Sequence, residues 1–116
     1  MSKEIPFSVR LRDLVLSDAL ISWRWRNDSE IWRLTGNRPD KRITPEIETK
    51  WLEKVLEDPA SRRFAICVGQ NADYVGNVQL TSITAMEAEF HIFIGEKRWW
   101  GKGIATRATE LCLQIA

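Results

Sequence analysis

The segment GEKRWWGKGIATRA, Gly95 to Ala108, places Gly101 and Gly103 at the point where helix-forming sequence begins. Glycine inside a helix costs about 1 kcal/mol relative to alanine, so two of them at a helix start need a reason. The amides of a first helical turn have no partner within the helix, and glycine lets an anion reach them without meeting a Cβ. The run Gly101, Lys102, Gly103, Ile104 and Ala105 is therefore a candidate phosphate site, with Arg98 and Lys102 adding attraction. Backbone donors should outweigh those cations: an amide bonded to a charged acceptor contributes about 1.5–3 kcal/mol, an exposed ion pair about 0–1 kcal/mol. A turn that needs glycine only for its conformation is the plainer reading of the same spacing. Neither a GxxxxGK[ST] phosphate loop nor a GxGxxG dinucleotide fingerprint is matched, which speaks against nucleotide hydrolysis and hydride transfer.

A second stretch, SWRWRNDSEIWR from Ser22 to Arg33, interleaves tryptophan with arginine, as a small nucleic-acid-binding module would. Against that reading, Trp23 falls on an expected core stripe and Asp28 and Glu30 offset the arginines. The chain as a whole carries 17 basic and 16 acidic residues, so no strong field favours phosphate-driven binding, and nucleic acid is not the expected partner. Cys67 and Cys112 lie within apolar runs, which points to core packing in a reducing compartment rather than to a disulfide framework. No metal site is expected.

The elements that must position these residues follow from periodicity. Phe7 to Leu16 alternates as a half-buried strand through Val9, Leu11, Leu14 and Leu16. Ser17 or Asp18 caps a helix whose expected inner stripe is Leu20, Trp23, Ile31 and Leu34, with a bend at Asn27-Asp28-Ser29 and a stop at Gly36. After a polar loop, Thr44-Pro45-Glu46 opens a second helix running to Leu56, with Ile47, Trp51, Leu52, Val55 and Leu56 inward. RRFAICVG and YVGNVQLTSI form a hairpin about residues 69–73, and AEFHIFIG adds a third strand. From Gly103, the spacing of Ile104, Ala105, Ala108, Leu111, Cys112 and Ile115 is that of an amphipathic helix. The expected class is α+β, with a largely antiparallel sheet.

At 116 residues, 44% hydrophobic and 28% charged, the sequence reads as one globular domain that needs no staple. No apolar run is long enough for a signal peptide or a membrane span, so the expected location is the cytoplasm and no membrane partner is expected. The last helical pattern reaches Ala116 without a stop signal, so residues 1–116 are expected to be a truncated domain. An open sheet edge in such a domain invites self-pairing, and a homodimer is one expectation.

Arg98-Trp99-Trp100-Gly101-Lys102-Gly103 fits the R/Q-x-x-G-x-G/A signature of the GNAT N-acetyltransferases, and AEFHIFIGEKRWWGKGIATRA resembles their acetyl-CoA-binding strand, loop and helix. Trp25-Arg26-Asn27-Asp28 resembles an element of the branch that includes ribosomal-protein N-terminal acetyltransferases. The resemblance covers about residues 9–116. It implies a GNAT-like mixed sheet flanked by helices with the C-terminal part missing, and transfer of an acetyl group from acetyl-CoA to a primary amine: a protein N-terminus, an amino sugar or a small amine. The amides around Gly101 to Ala105 would hold the pyrophosphate, and the backbone of Ile92, Phe93 and Ile94 the pantetheine arm. Glu89 would be the general base, acting through water, on one strand face with His91 and Phe93; burial beside aromatic groups would raise its pKa. His91, the only histidine, is the other candidate base, and residues 37–42 are expected on the acceptor side. The resemblance supplies no general acid, since the single tyrosine, Tyr74, lies in the hairpin rather than in a later helix. A fragment that keeps the fold for interaction without catalysis is the remaining reading.

Overall fold

The computed structural model describes residues 8–36 and 38–115; Phe7, Asn37 and Ala116, on which the expected first strand, acceptor loop and chain end drew, lie outside them. Four strands, β1 (Val9–Asp13), β2 (Arg62–Val68), β3 (Asp73–Thr81) and β4 (Glu89–Ile94), form one antiparallel sheet in sequence order. Helices α1 (Ala19–Arg26), α2 (Ser29–Thr35) and α3 (Pro45–Leu56) fill the connection from β1 to β2, and α4 (Ile104–Ile115) follows β4. This is the α+β arrangement that the alternation of patterns predicts.

β2 explains why two cores exist. Its side chains alternate, so Phe64, Ile66 and Val68 join Ile104, Ala108 and Cys112 of α4 on one face. Ala65 and Cys67 join Ala19, Trp25, Ile31 and Leu52 on the other. The strand is covered on both sides, and RRFAICV is accordingly an apolar run rather than an alternating one. The two free cysteines are buried on opposite faces and serve packing; burial pushes both thiols up in pKa.

β3 carries a bulge that the sequence reading did not anticipate. Its register with β2 shifts between Ile66 opposite Gly76 and Cys67 opposite Tyr74, leaving Val75 as the extra residue. The Val75 carbonyl accepts hydrogen bonds from the amides of Gly95 (2.7 Å) and Glu96 (3.1 Å), tying down the end of β4 and the start of the loop toward α4. The expected stripe on the first helices is corrected. Leu20 and Leu34 are 64% and 73% exposed, while Ala19, Ser22, Trp25 and Ile31 are buried. The reason is the break at Asn27 and Asp28, which makes two helices with separate phases, and the polar inner face of the first. In α3, likewise, Glu48 is buried where Trp51 and Leu56 were expected to be, and both of these are 37% exposed. Thr44 caps α3 through the Ile47 amide (3.2 Å), and Gly36 (φ 75°) ends α2, as expected. Asp18 instead turns back, receiving Arg12 at 2.8 and 2.9 Å and the Val15 amide at 2.9 Å.

Candidate active site

Gly101 and Gly103 have φ of 73° and 81°, a left-handed region that side chains resist, so the turn before α4 itself requires glycine at both positions. A Cβ built on Gly101 would meet nothing within 4 Å: the space beside it is open. Residues 101–103 and 105–107 are exposed, and Ile104, only 1% exposed, fixes the helix start onto the core. The Arg107 amide bonds to the Gly103 carbonyl at 3.1 Å, so the preceding amides form the first turn. A cavity of about 380 Å³ lies between this turn and β4, lined by Gly101, Gly103, Ile104 and Ala105 on one side and by Ile92, Phe93 and Ile94 on the other. Arg98 and Lys102 do not line it. Arg98 stands over the Trp99 ring (5.8 Å) and 4.0 Å from Asp73, with its side chain exposed.

β4 forms one edge of the described sheet. The Gly95 amide points inward to β3, and residues alternate in direction along a strand, so Ile92 and Ile94 turn their backbone groups outward. The Ile94 carbonyl is already occupied by the indole N–H of Trp100 at 2.8 Å. The outward groups of Ile92 and the Ile94 amide face the cavity side. Trp99 and Trp100 both line the cavity and pack on the core beneath it.

The Trp25-Arg26-Asn27-Asp28 element holds this region in place. Trp25, 4% exposed, donates its indole N–H to Glu96 at 2.7 Å and lies flat against Gly95, where any Cβ would stand 2.0 Å from the ring. Arg26 bonds to buried Glu48 at 2.7 Å, and Asn27 exchanges two 2.8 Å bonds with the backbone of Ile43. Asp28 caps α2 through the Glu30 amide and pairs with Lys97 at 2.9 Å. Lys97 is thereby what lowers the Asp28 pKa. Within the interleaved segment, Trp25 is thus buried and Arg26 paired, while Trp23 and Trp32 are half-buried.

A second cavity of about 760 Å³ adjoins the first, sharing Ile31, Leu34, Thr35, Ile92 and Phe93 with it. Arg38, Asp40, Asn77, Gln79 and His91 belong to its polar lining, together with the paired side chains Ser22, Arg26 and Glu48. Of the two proposed bases, His91 lines this cavity and Glu89 does not. Glu89 shares a strand face with His91, 3.6 Å away, as alternation predicts, but its side chain is 68% exposed at the far tip of β4. The expected burial beside aromatic groups is therefore corrected; the strand begins at Glu89, and residues 84–91 around it are all exposed. Tyr74 is buried, with its hydroxyl on Asn77 and its pKa pushed well up by burial, so it is not placed to give up a proton. Glu48, which the sequence reading missed, reaches the same cavity with Ser22 (2.8 Å) and Arg26 on its oxygens; a glutamate inside an amphipathic helix gave no sign of burial. No group of three or more metal-ligating side chains occurs among the described residues, and no described helix is long and apolar enough to cross a membrane.

Residues 8–116 match the family described as acetyltransferase (GNAT) domain. Among solved structures, the chain is similar to a domain from Methanocaldococcus jannaschii (21% identity, TM-score 0.75, covering 93% of this chain and 69% of that one). It is also similar to spermidine N-acetyltransferase from Vibrio cholerae in complex with CoA and spermine (24%, TM-score 0.76, 91% and 62%). A third is an aminoglycoside acetyltransferase in complex with coenzyme A (20%, TM-score 0.70, 93% and 66%). The chain thus spans about three fifths to two thirds of the length of these structures. No curated protein sequence matches it.

Proposed function

Because this chain belongs to the GNAT acetyltransferase family, we propose that it is an acyl-CoA N-acyltransferase domain carrying an acetyl group from acetyl-CoA to a primary amine. The observation that carries this reading is the meeting of two cavities along Ile92 and Phe93, one ending at a glycine turn, the other lined by polar side chains. The residues present fit acetyl-CoA as co-substrate. The exposed amides from Gly101 to Ala105 would take the pyrophosphate, and the outward backbone of Ile92 with the Ile94 amide would take the pantetheine arm. Phe93 would wall the junction between the cavities. Bound there, acetyl-CoA supplies an activated thioester for attack by the amine.

A protonated amine cannot attack, so a base must serve the second cavity. Glu89 is kept in that role through water, with His91 between it and the cavity. Glu89→Gln would flatten the pH dependence of transfer if that assignment holds; an unchanged profile in Glu89→Gln and a lost one in His91→Gln would move the role to His91. The resemblance of the Trp25-Arg26-Asn27-Asp28 element keeps the branch that includes ribosomal-protein N-terminal acetyltransferases as the reading, with the cytoplasm as the expected location. The element's four side chains make internal contacts, so it says nothing about the acceptor. A homodimer through a sheet edge would use β1, since β4 is needed by the pantetheine arm. The reading is tested by titrating acetyl-CoA into the chain and into Gly103→Val by calorimetry. Binding that is lost only in the variant is the expected result; no binding to either would overturn it.

A further inference from the structure

The second cavity has a donor-rich wall. Gln79 has its side-chain oxygen held by Arg63 at 2.6 Å, and the oxygen of Asn77 accepts the Tyr74 hydroxyl, so the NH2 groups of both remain to serve the cavity. In the same lining Arg38 stacks over Trp32 at 5.4 Å and contributes a guanidinium suited to paired oxygen acceptors. The other lining cation, Arg26, is neutralised by Glu48 at 2.7 Å. That leaves Asp40 as the one lining carboxylate without an ion-pair partner among the described residues. A polyamine brings several positive charges, and one lining carboxylate free of an ion pair matches only one of them. Resting on the acyltransferase reading, we propose that the acceptor is an amine whose carbon frame also bears an oxyanion, carboxylate or phosphate. The oxyanion takes Arg38, Asn77 and Gln79, and the amine is left toward Asp40 and β4.

The test measures binding to the whole chain by calorimetry, with four probes: δ-aminovalerate, aminoethyl phosphate, cadaverine and spermidine. Either zwitterion should bind at least about 10-fold tighter than both polyamines, and Arg38→Gln should erase the difference. Which of the two zwitterions binds tighter identifies the oxyanion. Equal or tighter polyamine binding, a preference that survives Arg38→Gln, or binding of none of the four would overturn the proposal. A parallel acetyl-CoA titration keeps the two readings apart, since its failure alone removes the transferase assignment while the acceptor preference can still be measured. Arg38 is exposed and its guanidinium lies on a ring rather than in the core, so the variant is expected to fold; circular dichroism checks this.

Discussion

The two faces of the sheet are built by different chemistry. Against α4, Phe64, Ile66, Val68, Val75 and Val78 meet Ile104, Ala108 and Cys112 in a dry, mostly aliphatic layer. Against α1 and α3, the layer includes buried Glu48, Asp18 and Ser22 together with Trp25 and Tyr74, whose rings lie 4.8 Å apart. On the first face stability comes from area removed from water, and the candidate site beside it offers backbone amides on a turn that asks only for glycine. On the second, each buried polar group depends on a particular partner, and the cavity beside it inherits that particularity. Under the proposed function, the generic face would serve a co-substrate shared by a family and the specific face what distinguishes one member.

The sharpest break should come at Glu48. Glu48→Ala removes two hydrogen bonds to a charged acceptor, from Ser22 and from Arg26, each worth about 1.5–3 kcal/mol, read as a lowered urea midpoint. A loss under about 1 kcal/mol would mean that the polar layer does not hold the helices in place. Next, Gly103→Val should lower acetyl-CoA affinity about 100-fold or more, since two disturbed amide contacts to phosphate are worth about 3 kcal/mol or more. Strain at φ 81° should cost the fold only about 1–3 kcal/mol, and equal losses of binding and folding would favour a turn with no ligand. On the aliphatic face, Ile66→Val should cost about 0.5–1.5 kcal/mol with acetyl-CoA binding unchanged, because the remaining layer is continuous. The smallest effect is Asp28→Asn. The Asp28 carboxyl is held below its ordinary value chiefly by Lys97. Its stabilisation is therefore present above the ordinary aspartate value of about 3.9 and lost as pH falls through the lower folded value. Wild-type and variant melting curves should differ at neutral pH and converge in acid.

The same division governs what could be read beforehand. The apolar run of β2 and the four-residue spacing of Ile104, Ala108 and Cys112 were legible because burial there follows hydrophobicity, and the glycine turn was legible because positive φ selects glycine. Leu20 and Leu34 misled because a helix broken at Asn27 restarts its phase, so one stripe cannot be carried across it. Glu48 and the exposed tip of Glu89 depended on partners distant in sequence, Ser22 and Arg26 in one case and uncovered space in the other. The extra residue Val75 was marked only by its neighbour Gly76, a strand glycine that the sequence reading passed over.

Cys67 and Cys112, one sealed under each face, give the molecule a pair of built-in gauges. Each sulfur can meet a thiol reagent only when its own layer opens, so labelling rates read the two halves separately in an unmodified chain. A ligand that tightens one layer would slow one sulfur and leave the other at its resting pace.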